Sequence, residues 1–338
     1  MNRKHIAFTG FAIALTGLFL CNLFYGTVSI PKNTIIDILF GREAKHDVWE
    51  SIVLQSRLPQ AITALLSGAA LSVSGLLLQT MFRNPLAGPS ILGISSGANL
   101  GVAIVMLYSG GIIGQNFSGH FSVIVAAFAG SITVLLLILY FSIRIRNSEL
   151  VMIIGIIIGY LASAGIAALN SMAASDSIRS YVLWGMGSFS DVHNSELPLY
   201  SITILSGLFF SLLLIKPLNA LLLGDNYAAN LGVNILNIRI CILLITGYLT
   251  ATVTAYCGPV TFIGLIVPHI ARMLSGTSNQ KTLLPSTILA GAIVALLCNL
   301  MTVIPFGKSL LPLNAITPFI GAPVIVYVIM KNKRNQSN

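Results

Sequence analysis

The sequence predicts an all-α polytopic membrane protein, with about ten transmembrane helices in one bundle. Three observations predict it. The 338 residues are 56% hydrophobic and only 8% charged, where a soluble domain carries about a quarter charged residues. Mean hydropathy is +0.91. Apolar runs close to the length of a bilayer crossing recur from one end of the chain to the other. Their spacing leaves no room for a separate soluble domain, so 1–338 reads as a single transmembrane domain.

The first span covers roughly 6–28. Its basic start, Met1 to His5, resembles a leader peptide. The apolar run continues past Leu20 towards Val28 with no small-x-small cleavage site behind it, so it reads as a retained span. The other spans cover roughly 58–82, 91–110, 121–143, 150–172, 197–215, 236–257, 260–274, 283–304 and 313–330. Gly68, Ala69, Ser72 and Gly75 in the second suit close helix approach, as do Gly97 with Gly101 and Gly155 with Gly159. Asn84-Pro85 makes a turn into the third. Asn147 and Ser148 separate the fourth from the fifth. The longest connection on the side predicted to be cytoplasmic is 216–233. It reads as two short helices, 217–223 and 225–231, broken at Gly224. Asp225 is placed to cap the second helix, and Gly232 suits a left-handed C-cap. Leu221, Leu222, Ala228 and Leu231 give a small apolar face.

The eighth span holds the least lipid-like stretch, from Gly258 to Arg272. Pro259 suits a helix start. Pro268 frees a carbonyl that a neighbour must satisfy. His269 and Arg272 are costly at membrane depth unless they face protein, water or the interface. Fifteen residues at about 1.5 Å give roughly 22 Å, short of a ~30 Å core. A segment this short and interrupted reads as a working part of a transporter.

Charge sets the orientation. With an even number of spans and the N-terminus inside, the C-terminus is also cytoplasmic. Lys32, Arg42, Lys45, Arg57, Arg179 and Lys308 then fall outside, and the other twelve of the 18 Lys and Arg fall inside. That is a positive-inside bias. Of the acids, only Glu149 and Asp225 fall inside. The net charge of +9 therefore reflects topology rather than nucleic-acid binding.

No Asp or Glu lies within a predicted span. Proton- and sodium-driven carriers usually need such a coupling carboxylate, which counts against a stand-alone secondary carrier or channel. Gly307-Lys308-Ser309 does not make a P-loop, because Thr302 stands where its first glycine is needed. His269 has no acidic neighbour in its span, and no His-Glu-x-x-His set is present, so an enzyme is not indicated. The four cysteines, Cys21, Cys241, Cys257 and Cys298, have no metal-ligand spacing.

Five stretches share one resemblance. They are Gly258 to Arg272; Leu223-Gly224-Asp225 with Ala228 and Leu231-Gly232-Val233; Asn84-Pro85-Leu86-Ala87 with its flanks from Gly68 to Gly97; Arg57-Leu58-Pro59; and Thr317 to Pro323. Together they resemble the FecCD-type permeases of ABC importers, which carry iron chelates, haem and cobalamin. The resemblance covers nearly the whole chain after the first span. It implies that Leu222 to Val233 includes coupling helices that dock into an ATPase. It implies a cytoplasmic gate at Asn84, Pro85 and Leu86, with Asn147 and Ser148 at a second constriction. It implies a broken helix carrying Gly258, Pro259, Gly264, Pro268, His269 and Arg272. It implies that Arg57, with Lys308, receives a substrate-binding protein. The expected setting is a bacterial inner membrane, with lipid around a pair of permease copies. ATP and Mg belong to the partner ATPase, and no cofactor or metal is expected on this chain. The implied cargo is a ferric siderophore or haem, with cobalamin as the alternative. The chain departs from the family pattern at Gly88, Asn226 and Asn230. It also departs at Gln60, which replaces a second Arg, and at Asn299, which stands for the acid of the D-x-x-x-R pattern. Thr302 and Val303 stand where that pattern's Arg would fall.

Overall fold

The computed structural model describes residues 3–42, 47–108, 119–145, 147–303 and 311–336, and these hold helices and no strand. In chain order they are α1 (Arg3–Phe24), α2 (Lys32–Leu39), α3 (Asp47–Ser51), α4 (Leu58–Phe82), α5 (Ile94–Ala103), α6 (Gly119–Arg144), α7 (Ser148–Met172), α8 (Ser175–Gly185), α9 (Leu197–Leu213), α10 (Ile215–Leu222), α11 (Asp225–Asn230), α12 (Ile235–Cys257), α13 (Ile263–Ser275), α14 (Gln280–Val303) and α15 (Leu313–Gln336). A π-helical stretch, Ile52–Arg57, joins α3 to α4, and Ile104–Tyr108 extends α5 in the same form.

Five stretches are long and apolar enough to cross a bilayer by length and composition: Asp47–Phe82, Phe121–Arg144, Glu149–Met172, Ile235–Cys257 and Gln280–Val303. Together α9 and α10 form a sixth, bent by 53°. Pro217 explains the bend, because it offers no amide to the Leu213 carbonyl one turn back. Phe8–Phe24, Ile94–Tyr108, Ile263–Ser275 and Leu313–Tyr327 are shorter apolar helices. Every predicted apolar segment overlaps one of these helices.

Helix α4 is the axis of the bundle. In the most apolar window of its stretch 89% is buried, against 17% for that of α7. Lipid tails are as apolar as leucine, so helices here are held by close fit rather than by exclusion from water. Small residues provide that fit. A Cβ at Gly68 would overlap the Gly291 carbonyl of α14, and one at Gly291 would overlap Ser72. Gly97 and Gly130 block each other in the same way between α5 and α6, and Gly155 lies against Leu92.

Outside the main bundle, α2 turns Ile35 and Ile38 onto Ile30 and Val53 to make a small satellite core. The sequence reading missed α2, α3 and α8. It also placed the eighth helix too early. Pro259 does not start it; Phe262, with φ 68°, precedes a helix that opens at Ile263.

Candidate functional site

At the end of α4 the chain reverses through the turn expected at Asn84-Pro85. Asn84 Oδ1 accepts the Leu86 N–H at 2.9 Å, and the Ala87 N–H reaches the Asn84 carbonyl at 3.1 Å. The Asn84 amide also points to Met152 Sδ of α7 at 3.7 Å. These bonds leave Leu86 44% exposed. Arg83, just before the turn, has φ 48°, an uncommon conformation for a residue with a Cβ.

His269 explains its place in an apolar helix. Its Nε2 lies 2.8 Å from the Pro85 carbonyl. A carbonyl only accepts, so Nε2 carries the proton. One turn further, Arg272 lines a cleft of about 320 Å³ together with Gln79, Arg83, Pro85 and Leu222. The broken helix, the turn after α4 and the end of α10 thus share one cleft.

The loop 215–233 lies at the same end. Leu221 and Ala228 are buried, while Leu222, Leu223, Tyr227 and Leu231 are 41%, 63%, 56% and 59% exposed. This corrects the expected apolar face: Leu221 and Ala228 anchor the loop, and Leu223 and Tyr227 join the free surface. Gly224 breaks the helices with φ 115°. Gly232 closes α11 with φ 82°. Its N–H reaches the Ala229 carbonyl while the Val233 N–H reaches that of Ala228, the Schellman pattern.

Asp225 does not cap α11, which has no side-chain cap. Its Oδ1 accepts from Arg83 at 2.5 Å and its Oδ2 from Arg239 of α12 at 2.7 Å. Asn147 and Glu149 share a second cleft with these three, about 350 Å³ in volume. Asn147 caps α7, its Oδ1 accepting the Glu149 N–H at 2.8 Å and that of Leu150 at 3.4 Å. The side chain of Ser148 lies outside the described residues.

The broken segment has its own support at the opposite end of the bundle. Asn314, absent from the sequence reading, gathers it. Its Nδ2 donates to the carbonyls of Pro259 at 2.5 Å and Gly185 at 3.2 Å. Its Oδ1 accepts the Thr261 N–H at 3.1 Å. Irregular backbone at membrane depth requires such partners. Within α13, Pro268 cannot bond the Gly264 carbonyl. That oxygen faces Gly75, where a Cβ would overlap it, and the neighbouring Leu265 carbonyl takes a bond from Gln79 at 2.9 Å.

Arg57 corrects an expectation. It is 6% exposed, so it is not an outward docking cation. Its guanidinium bonds the Leu23 and Phe24 carbonyls at 2.8 and 3.2 Å, and that of Val28. It therefore satisfies the end of α1, where helical carbonyls lack amide partners. Arg57→Gln is expected to loosen α1 and lower the thermal unfolding midpoint of the detergent-solubilised protein by several degrees. Charged hydrogen bonds contribute about 1.5–3 kcal/mol. An unchanged midpoint would return Arg57 to the surface. Nearby, Gln60 donates to Asn299 at 3.0 Å, and Asn299 to Asn22 at 2.8 Å, a neutral chain linking α4, α14 and α1. Lys308 lies outside the described residues.

A bundle of apolar helices, with three motifs gathered at one end, fits a multi-pass membrane permease. Comparison with known proteins makes the assignment specific. The chain belongs to the FecCD transport family, whose model matches residues 13–331. It is 34% identical over 285 residues to the vitamin B12 import system permease BtuC of Salmonella typhi, covering 84% of this chain and 85% of that one. It is 31% identical over 352 residues to a Methanocaldococcus jannaschii protein named as an ABC transporter permease, covering 99% of each. Among solved structures it is similar to a metal-chelate type ABC transporter in an inward-facing conformation. The TM-score is 0.84 at 30% identity, over 97% of this chain and 99% of that one.

Proposed function

We propose that this chain is the membrane-spanning subunit of an ATP-driven importer of metal chelates. It crosses the membrane ten times with both termini in the cytoplasm, as the distribution of Lys and Arg favours. The end carrying α10 and α11 then faces the cytoplasm. One observation carries the reading: the Asn84-Pro85-Leu86 turn, His269 with Arg272, and the loop 215–233 meet at that end. Leu222, Leu223, Tyr227 and Leu231 dock into an ABC ATPase, which holds the ATP and Mg. Leu86, exposed beside the dock, narrows the path between this chain and a second copy. The little-buried α7 leaves a long face for that copy or for lipid. A substrate-binding protein delivers cargo to the opposite end.

The favoured cargo is an iron chelate, a ferric siderophore or haem, in which the metal travels inside its ligand. The similarity to BtuC supports cobalamin as the second reading. Reconstitution in liposomes tests both. Uptake is expected only with the ATPase, the binding protein and ATP together, and transport by the chain alone would overturn the proposal. Binding-protein affinities for ferric siderophores, haem and cobalamin decide the cargo.

The gate has its own test. In the Leu86→Cys variant, crosslinking between the two copies is expected to depend on the nucleotide state. Leu86→Ala is expected to leak a small solute without ATP, because an apolar constriction loses most of its side-chain volume. Crosslinking indifferent to nucleotide, with no leak, would reduce the turn to a helix connection.

A further inference from the structure

We infer that Asp225 is the positioning residue through which the docking loop moves the turn at Asn84–Leu86, acting on Arg83. Its carboxylate is divided between two segments, Oδ1 to Arg83 and Oδ2 to Arg239. The Arg239 side chain is 10% exposed and sits in α12, so it fixes the carboxylate against the body of the bundle. Arg83 is 48% exposed and stands directly before the turn. Asp225 is the only acid in 216–233, and α11 buries only Ala228. The tie between α11 and the end of α4 is therefore mainly electrostatic.

The backbone of Arg83 makes it a fitting receiver. With φ 48° it occupies a region that costs a non-glycine residue free energy and persists only where its surroundings hold it. The chain after it is held from the other side, with His269 on the Pro85 carbonyl. Beyond the weak contact of Asn84 with Met152 Sδ, the turn thus has two anchors. One belongs to α13, and the other to the loop that meets the ATPase. A displacement of α11 changes the second anchor and leaves the first, which rotates the turn rather than translating it. Exposed ion pairs contribute little to stability, so this pair matters more for transmitting movement than for holding the fold.

The inference rests on the docking and gating roles proposed above. The test uses the full complex in proteoliposomes, with transport measured on chains that keep Leu86 and crosslinking on the same variants carrying Leu86→Cys. Arg83→Gln is expected to bind ATPase and hydrolyse ATP as the parent does. Transport per ATP should fall about fivefold or more, the range of ordinary coupling energies. Crosslinking at position 86 should lose its nucleotide dependence. Arg83→Lys, which keeps the charge, should recover part of the coupling. Asp225→Asn should show the same transport loss, and the double variant should be no worse than the worse single, because both act through one contact. Parent-like coupling and nucleotide-dependent crosslinking in Arg83→Gln would overturn the inference, as would additive losses in the double variant. If Arg83→Gln does not accumulate, Asp225→Asn with parent-like coupling is equally decisive against it. The docking reading fails separately, if Leu231→Asp binds ATPase normally.

Discussion

Gly75→Val will abolish the accumulation of folded protein. Position 75 lies in the middle of α4, where its Cα faces the Gly264 carbonyl of α13 so closely that any Cβ would overlap the oxygen. That oxygen has no amide partner in its own helix, because Pro268 stands one turn on. Weak Cα–H···O contacts of this kind recur where helices approach closely. Inserting a branched side chain normally costs about 1–3 kcal/mol when neighbours can yield. Here the neighbour is backbone, so α13 must move away from α4 and the His269 bond to Pro85 moves with it. The expected result is aggregated or degraded protein by size-exclusion chromatography. Gly88→Ala is the control. Its Cβ would meet Leu265 at an ordinary 3.8 Å, and it should behave as the parent does. Monodisperse Gly75→Val with an unchanged unfolding midpoint would refute the close fit.

Leu231→Asp will leave the chain folded and remove the ATPase. The side chain is 59% exposed, so a carboxylate there stays in water while the chain is alone. Against a docked partner it is desolvated without a counter-charge, a cost of several kcal/mol. At about 1.4 kcal/mol per tenfold, this weakens association by roughly a hundredfold or more. Copurification should show normal yields of the permease without ATPase. Leu221→Asp separates surface from core. Leu221 is 3% exposed, so that variant should lose the permease itself. Equal ATPase recovery with Leu231→Asp and the parent chain would place the dock elsewhere.

Much of this architecture is visible in the chain because bilayer length is a local property. Each predicted apolar segment overlaps a helix among the described residues. Local chemistry also read well: Asn84 bonds its own turn, and Gly232 ends α11 in a left-handed conformation. Tertiary chemistry did not. Asp225 is a plausible N-cap from its neighbours alone, yet its partners are 142 and 14 residues away. Two signals pointed to them: Arg83 adjoins the turn motif, and Arg239 is a lone cation in an apolar helix. Arg57 looked like an outward cation because nothing local showed that the end of α1 would fold back over it. Pro259 favoured a helix start by rule, but Phe262, with its positive φ, moved that start to Ile263. The amphipathic α2 and α8 were missed because their apolar faces are too short to stand out from a loop.

Asn314 has a consequence for how the chain is made. The backbone groups it satisfies, at Pro259, Thr261 and Gly185, are synthesised 55, 53 and 129 residues earlier. Until α15 inserts, the segment before α13 has lost these partners and must keep contact with water or insertion machinery. The last helix therefore supplies the hydrogen bonds that complete this part of the bundle. A ribosome that stops before residue 313 releases a chain with apolar helices in place and an unsealed break between them.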